Sequence, residues 1–99
     1  MVKEIKDTEY EAVIKEGKVV IDCYAPWCGP CKMISPIIDT FSEEITTTKF
    51  YKINVDEAEK ITKDFNIMSI PTLLIFENGE LKDKVVGLRS KSELEEIFK

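Results

Sequence analysis

Ninety-nine residues, 43% of them hydrophobic, supply one modest core and not two, since a chain this short buries only roughly 60–65% of the surface it exposes when unfolded. Nineteen acidic against fourteen basic residues, mixed along the chain, give a net charge of −5, which repels a phosphate backbone and argues against nucleic acid as a partner. No uncharged run could span a bilayer, and Lys3, Glu4, Lys6 and Asp7 leave no room for the apolar centre of a signal peptide, so a cytoplasmic protein with no membrane partner, monomeric by default, is expected.

Residues 2–5 read as a short strand. A helical pattern starts at Thr8, where Thr8 and Glu11 have the spacing of a capping box; Tyr10, Val13 and Ile14 share a face and Gly17 supplies the stop. Residues 19–25 are apolar and largely β-branched, as suits a central strand covered on both faces, and Asp22 is the one interruption. A long helix is expected from about residue 28 to 45, with Met33, Ile34, Ile37, Ile38, Phe41 and Ile45 at helical spacing and Pro36 as a site for a kink.

Residues 50–55 form the next strand, and Ala58, Ile61 and Phe65 mark a short helix ending near Asn66. Residues 72–76 and 81–86, joined through Asn78-Gly79, read as a hairpin, because Asn-Gly accepts the positive φ values of a tight turn. Ser90 and Glu93 cap a last helix carrying Leu94, Ile97 and Phe98. The order is βαβαβαββα in a single domain. The two long helical crossovers require parallel neighbours and the hairpin adds an antiparallel strand at one edge, so the fold class is α/β, with a mixed, mostly parallel sheet between helices on both faces.

The chemistry concentrates in Trp27-Cys28-Gly29-Pro30-Cys31, where the buried strand meets the long helix. Two cysteines three apart in a first helical turn have Cβ atoms about 5–6 Å apart, against the roughly 3.5–4.5 Å of a disulfide. Small torsional changes close that gap, so the pair can alternate between dithiol and disulfide. Pro30 pre-sets helical φ where a missing N–H costs nothing, and Gly29 lets the backbone bend and a partner approach. Cys28, at the positive end of the helix with free N–H groups facing its sulfur, is favoured as thiolate and nucleophile; Cys31, one turn in and more shielded, suits the resolving role. A C-x-x-C is also half of a zinc site, but the chain has no His and one further Cys, on a strand. The remaining alternative is a docking module using the same face without redox chemistry.

WCGPC after an apolar strand, within a βαβ unit, resembles the thioredoxin family, and the resemblance runs from about residue 19 to residue 90. It implies the thioredoxin fold and a protein-disulfide reductase with no metal or organic cofactor, acting on disulfide-containing target proteins and re-reduced by a thioredoxin reductase. The Gly-Pro pair separates it from the C-P-Y-C of glutaredoxins and the C-G-H-C of disulfide isomerase domains, the nearest redox alternatives. Asp22, expected to be buried with its ionisation pushed up, matches the family's buried acid and is implied to exchange a proton with Cys31. Lys52 matches a lysine near that acid. Pro71 matches a cis-proline facing the active-site pair, with Ile70 before it offering its backbone to substrate; Trp27, Gly29, Pro30, Val86 and Gly87 complete the implied substrate surface. Tyr24 stands where the family more usually has Trp, and Pro26 also departs from common versions; tuning rather than loss of chemistry is expected. Cys23 should point away from the pair and act as a small hydrophobe.

Overall fold

The computed structural model describes residues 2–98. Along the chain come β1 (Lys3–Glu4), α1 (Tyr10–Val13), β2 (Lys18–Tyr24), α2 (Gly29–Glu44), β3 (Thr48–Asn54), a 3-10 turn (Val55–Glu57), α3 (Glu59–Asp64), β4 (Thr72–Glu77), β5 (Glu80–Val86) and α4 (Lys91–Phe98). The βαβαβαββα order is the expected one. The five strands form one sheet in the order β1-β3-β2-β4-β5.

β3 runs parallel to β1 and β2, whereas β4 is antiparallel to both β2 and β5. Four strands therefore share a direction and β4 alone is reversed. The antiparallel part reaches one strand further into the sheet than the hairpin required. The length of α3 explains this. Its six residues span about 9 Å, under half the roughly 23 Å of a seven-residue strand. The chain is not carried back to where β3 began, so β4 starts beside the end of β2, with Thr72 opposite Cys23.

Strand alternation divides the core into two layers. Val19, Ile21 and Cys23 of β2 pack with Tyr10, Ile14, Ile53, Ile61, Leu74 and Phe76 on the α1/α3 face. Val20 turns the other way, to Ile34, Ile38 and Phe41 of α2 and Leu94 of α4, and Phe98 closes that layer edge-on against Phe41 and Phe50, at 5.0 and 5.7 Å between centroids. Each fully buried Ile, Leu or Phe contributes about 1.5–3 kcal/mol. Asp22 lies on the same face of β2 as Val20, under α2.

Local signals held unevenly. Asn78 and Gly79 both take positive φ, 50° and 87°, as the two-residue turn demands. At α4 the capping box forms: Glu93 Oε1 accepts from the Ser90 N–H at 3.0 Å and Ser90 Oγ accepts from the Glu93 N–H at 3.2 Å. The Thr8–Glu11 box does not form. The residue before α1 is Glu9, and its side chain caps nothing in the helix; its carboxylate accepts from the Lys6 N–H at 2.8 Å and closes the preceding turn. Pro36 sits inside α2 without ending it.

Candidate active site

Cys28 is the N-cap of α2, with extended backbone (φ −87°, ψ 112°), and its Sγ accepts from the Cys31 N–H at 3.2 Å. A helix start leaves N–H groups without intrahelical acceptors, and one of them is aimed at this sulfur. Pro30 occupies the first turn, where it displaces no hydrogen bond. The two cysteines are joined as a disulfide with Cα atoms 5.3 Å apart. At Gly29 an added Cβ would meet nothing within 4 Å, so its side of the loop is open to an approaching chain. The expected difference in shielding is absent: Cys28 and Cys31 are each only 3% exposed. Tyr24, Val55 and Ile70 pack against the cluster of Ala25 and the two cysteines, so the outer sulfur is shielded as well as the inner one.

The Ile70-Pro71 bond is cis. The Ile70 carbonyl oxygen lies 3.8 Å from Cys28 Sγ. Gly87 (φ 92°) donates its N–H to the Pro71 carbonyl at 2.8 Å, and Val86, 41% exposed, pairs with Thr72. Ile70, Pro71, Val86 and Gly87 thus form one rim, and Ile70 brings it to Cys28. On the other side Trp27 is 70% exposed, and its Nε1–H donates to Asp56 Oδ2 at 2.9 Å. An indole fixed at its polar end and bare on its faces suits contact with another surface.

Asp22 is 3% exposed, and its buried Oδ1 has no hydrogen-bond partner in the protein. It lines a cavity of about 210 Å³ with Tyr24, Cys31, Lys32, Ser35 and Lys52. Burial pushes the Asp22 carboxyl up to about 7; the Lys52 charge works against that shift and the Asp39 charge adds to it. Lys52 lies opposite Asp22 across the β2–β3 pair, with its ammonium 6.0 Å from the centroid of the Tyr24 ring. The structure therefore brings Asp22, Lys52 and Cys31 to one cavity, behind the disulfide.

Cys23 is fully buried on the opposite face, in the layer with Ile53 and Leu74, and burial pushes its thiol far up. Sequence reading missed Asp56, which holds Trp27, and Asp39, which bears on Asp22 from α2. Neither has a local signature, because each acts on a residue far away in the chain. Among the described residues, no three His, Cys, Asp or Glu side chains gather as a metal ion would need, and no helix is long and apolar enough to cross a membrane.

The thioredoxin family model matches residues 1–99. A thioredoxin of Listeria monocytogenes is 44% identical over 99% of this chain and 96% of its own length. One of Rickettsia felis is 41% identical over 95% of this chain and 92% of its own. A chain solved in a study of thiol resolution in a yeast mitochondrial 1-Cys peroxiredoxin by glutathione and thioredoxin systems superposes with a TM-score of 0.88. It is 33% identical, over 96% of this chain and 91% of the other. A disulfide at the head of α2 is thus set in a chain that matches, along its length, proteins that exchange disulfides, and the chain belongs to the thioredoxin family of dithiol–disulfide oxidoreductases.

Proposed function

We propose that Cys28 is the nucleophile, Cys31 the resolving thiol and Asp22 the proton acceptor of a protein-disulfide reductase cycle carried by a single, monomeric domain. In the reduced form the Cys28 thiolate attacks a substrate disulfide, forming one S–S bond and releasing the first substrate thiolate. Asp22 takes the proton of Cys31, whose thiolate then attacks Cys28 Sγ. The mixed disulfide breaks, the second substrate thiolate leaves and takes up a proton, and the Cys28–Cys31 disulfide remains. Two electrons have passed to the substrate. The observation that carries this reading is the shared cavity of Asp22 and Cys31, which places a carboxyl that titrates near neutral pH beside the thiol that has to ionise.

Lys52 supports ionisation of Asp22. Gly29, Pro30, Ile70, Pro71, Val86, Gly87 and Trp27 receive the substrate: the rim offers backbone groups to an extended segment and the indole an apolar face. Family membership implies disulfide-containing protein targets and, typically, a thioredoxin reductase as electron donor. A free buried Cys23 and a pair that must be re-reduced suit a reducing compartment, in keeping with a cytoplasmic protein that binds neither membrane nor nucleic acid.

Reduction of a generic protein disulfide tests the assignment. Wild type should turn over and Cys28→Ser should not. Asp22→Asn should keep the fold and slow turnover at neutral pH. Unchanged Asp22→Asn rates from pH 6 to 8 would remove the acid from the mechanism.

A further inference from the structure

Asp22 does not face Lys52 alone. Lys52 is the middle member of a row across three strands, opposite Asp22 on β2 and opposite Glu4 on β1. Residues in register on neighbouring strands project from the same face of a sheet, so Lys52 stands between two acidic residues, Asp22 buried and Glu4 exposed. Tyr24, two residues after Asp22 and on its face, joins the row. Its phenol donates to Glu4 Oε2 at 2.7 Å, its ring lies below Lys52 Nζ at 6.0 Å, and it lines the cavity that holds Asp22 and Cys31.

We propose that Tyr24 and Glu4 are positioning residues for the buried acid: the phenol engages the Glu4 carboxylate and the ring seats Lys52, so that the ammonium serves Asp22 rather than Glu4. The proposal rests on the reading of Asp22 as proton acceptor and adds the residues that set its ionisation. The other charged or titratable groups bearing on Asp22 are Asp39, and Cys31 and Lys32 around the cavity, all on α2, while Glu57 bears on Tyr24. None of them replaces the row, because none lies between Asp22 and a competing anion as Lys52 does.

The two residues act in opposite senses. Tyr24→Phe keeps the ring and frees the Glu4 carboxylate, which then draws Lys52 away from Asp22. Glu4→Gln keeps an acceptor for the phenol and removes the rival charge. The titration of the Asp22 carboxyl carbon, followed by NMR in the oxidised protein, reads both without requiring turnover. The midpoint should rise by about half a pH unit in Tyr24→Phe and fall by about half a unit in Glu4→Gln, within the range of nearby-charge effects. In the double variant Tyr24→Phe should add no rise to Glu4→Gln, since no carboxylate is left to free. Midpoints that stay within about 0.1 unit of wild type in both single variants, or that move in the same direction, overturn the proposal. Failure of the underlying reading is recognised separately: Asp22→Asn would then turn over as wild type does, whatever the titrations show.

Discussion

Asp22 and Cys31 open onto the same cavity, and the carboxylate oxygen Oδ1 of Asp22 is buried without a hydrogen-bond partner in the protein. A charged group in that setting opposes folding, so stability depends on pH. The unfolded chain releases the Asp22 proton near 3.8 and the folded protein near 7. Between those values the folded state binds more protons, and stability falls as pH rises. The contribution of protonated Asp22 is fully present below about pH 4 and lost through pH 7, amounting to at most about 4 kcal/mol. Urea unfolding of the oxidised protein and of Asp22→Asn at pH 4 and pH 8 checks this. The variant should gain on wild type by several kcal/mol between the two; a constant difference would mean that Asp22 ionises freely in the fold.

Cys23 should be chemically silent. It is buried in the α1/α3 layer, away from the disulfide, and burial opposes its thiolate, so the nucleophilic form is withheld. Native oxidised protein treated with iodoacetamide should show no adduct by mass spectrometry, and denatured oxidised protein should show one. Fast labelling of the native protein would mean that this layer opens readily.

Asp7 reaches across the chain to start α3. Its Oδ2 accepts from the Lys60 N–H at 2.8 Å and its Oδ1 from the Ile61 N–H at 3.0 Å, whereas Ala58, the helix's own N-cap, offers no side-chain acceptor. Asp7→Ala should therefore cost about 1 kcal/mol of stability, read as a lower urea midpoint with an unchanged slope. Active-site exchange should not change, because the Asp7 carboxylate acts at the start of α3 and not at the head of α2.

What the sequence revealed depended on how far along the chain each cause reached. The Ser90–Glu93 box, the Asn78-Gly79 turn and the helix start at Cys28 are set by residues within three positions of one another, and all three formed as read. Thr8–Glu11 has the same pattern as Ser90–Glu93 and failed, because Glu9 closed the turn before it and α1 runs for one turn only. Burial of Asp22 followed from an apolar strand around it. The cap from Asp7, the grip of Asp56 on Trp27 and the Glu4–Tyr24 bond join residues 20 to 54 positions apart, and no spacing rule announces them. The equal burial of Cys28 and Cys31 has the same origin: Val55 and Ile70, distant in the chain, pack against the cluster that holds both.

The division of labour between Cys28 and Cys31 is tested most directly by trapping. Cys31→Ser, fully reduced and mixed with a protein disulfide, should accumulate a mixed disulfide that peptide mapping places at Cys28. Cys28→Ser should accumulate none under the same conditions. A complex formed through Cys31 as readily as through Cys28, or one formed through Cys23, would contradict the assignment of nucleophile and resolver.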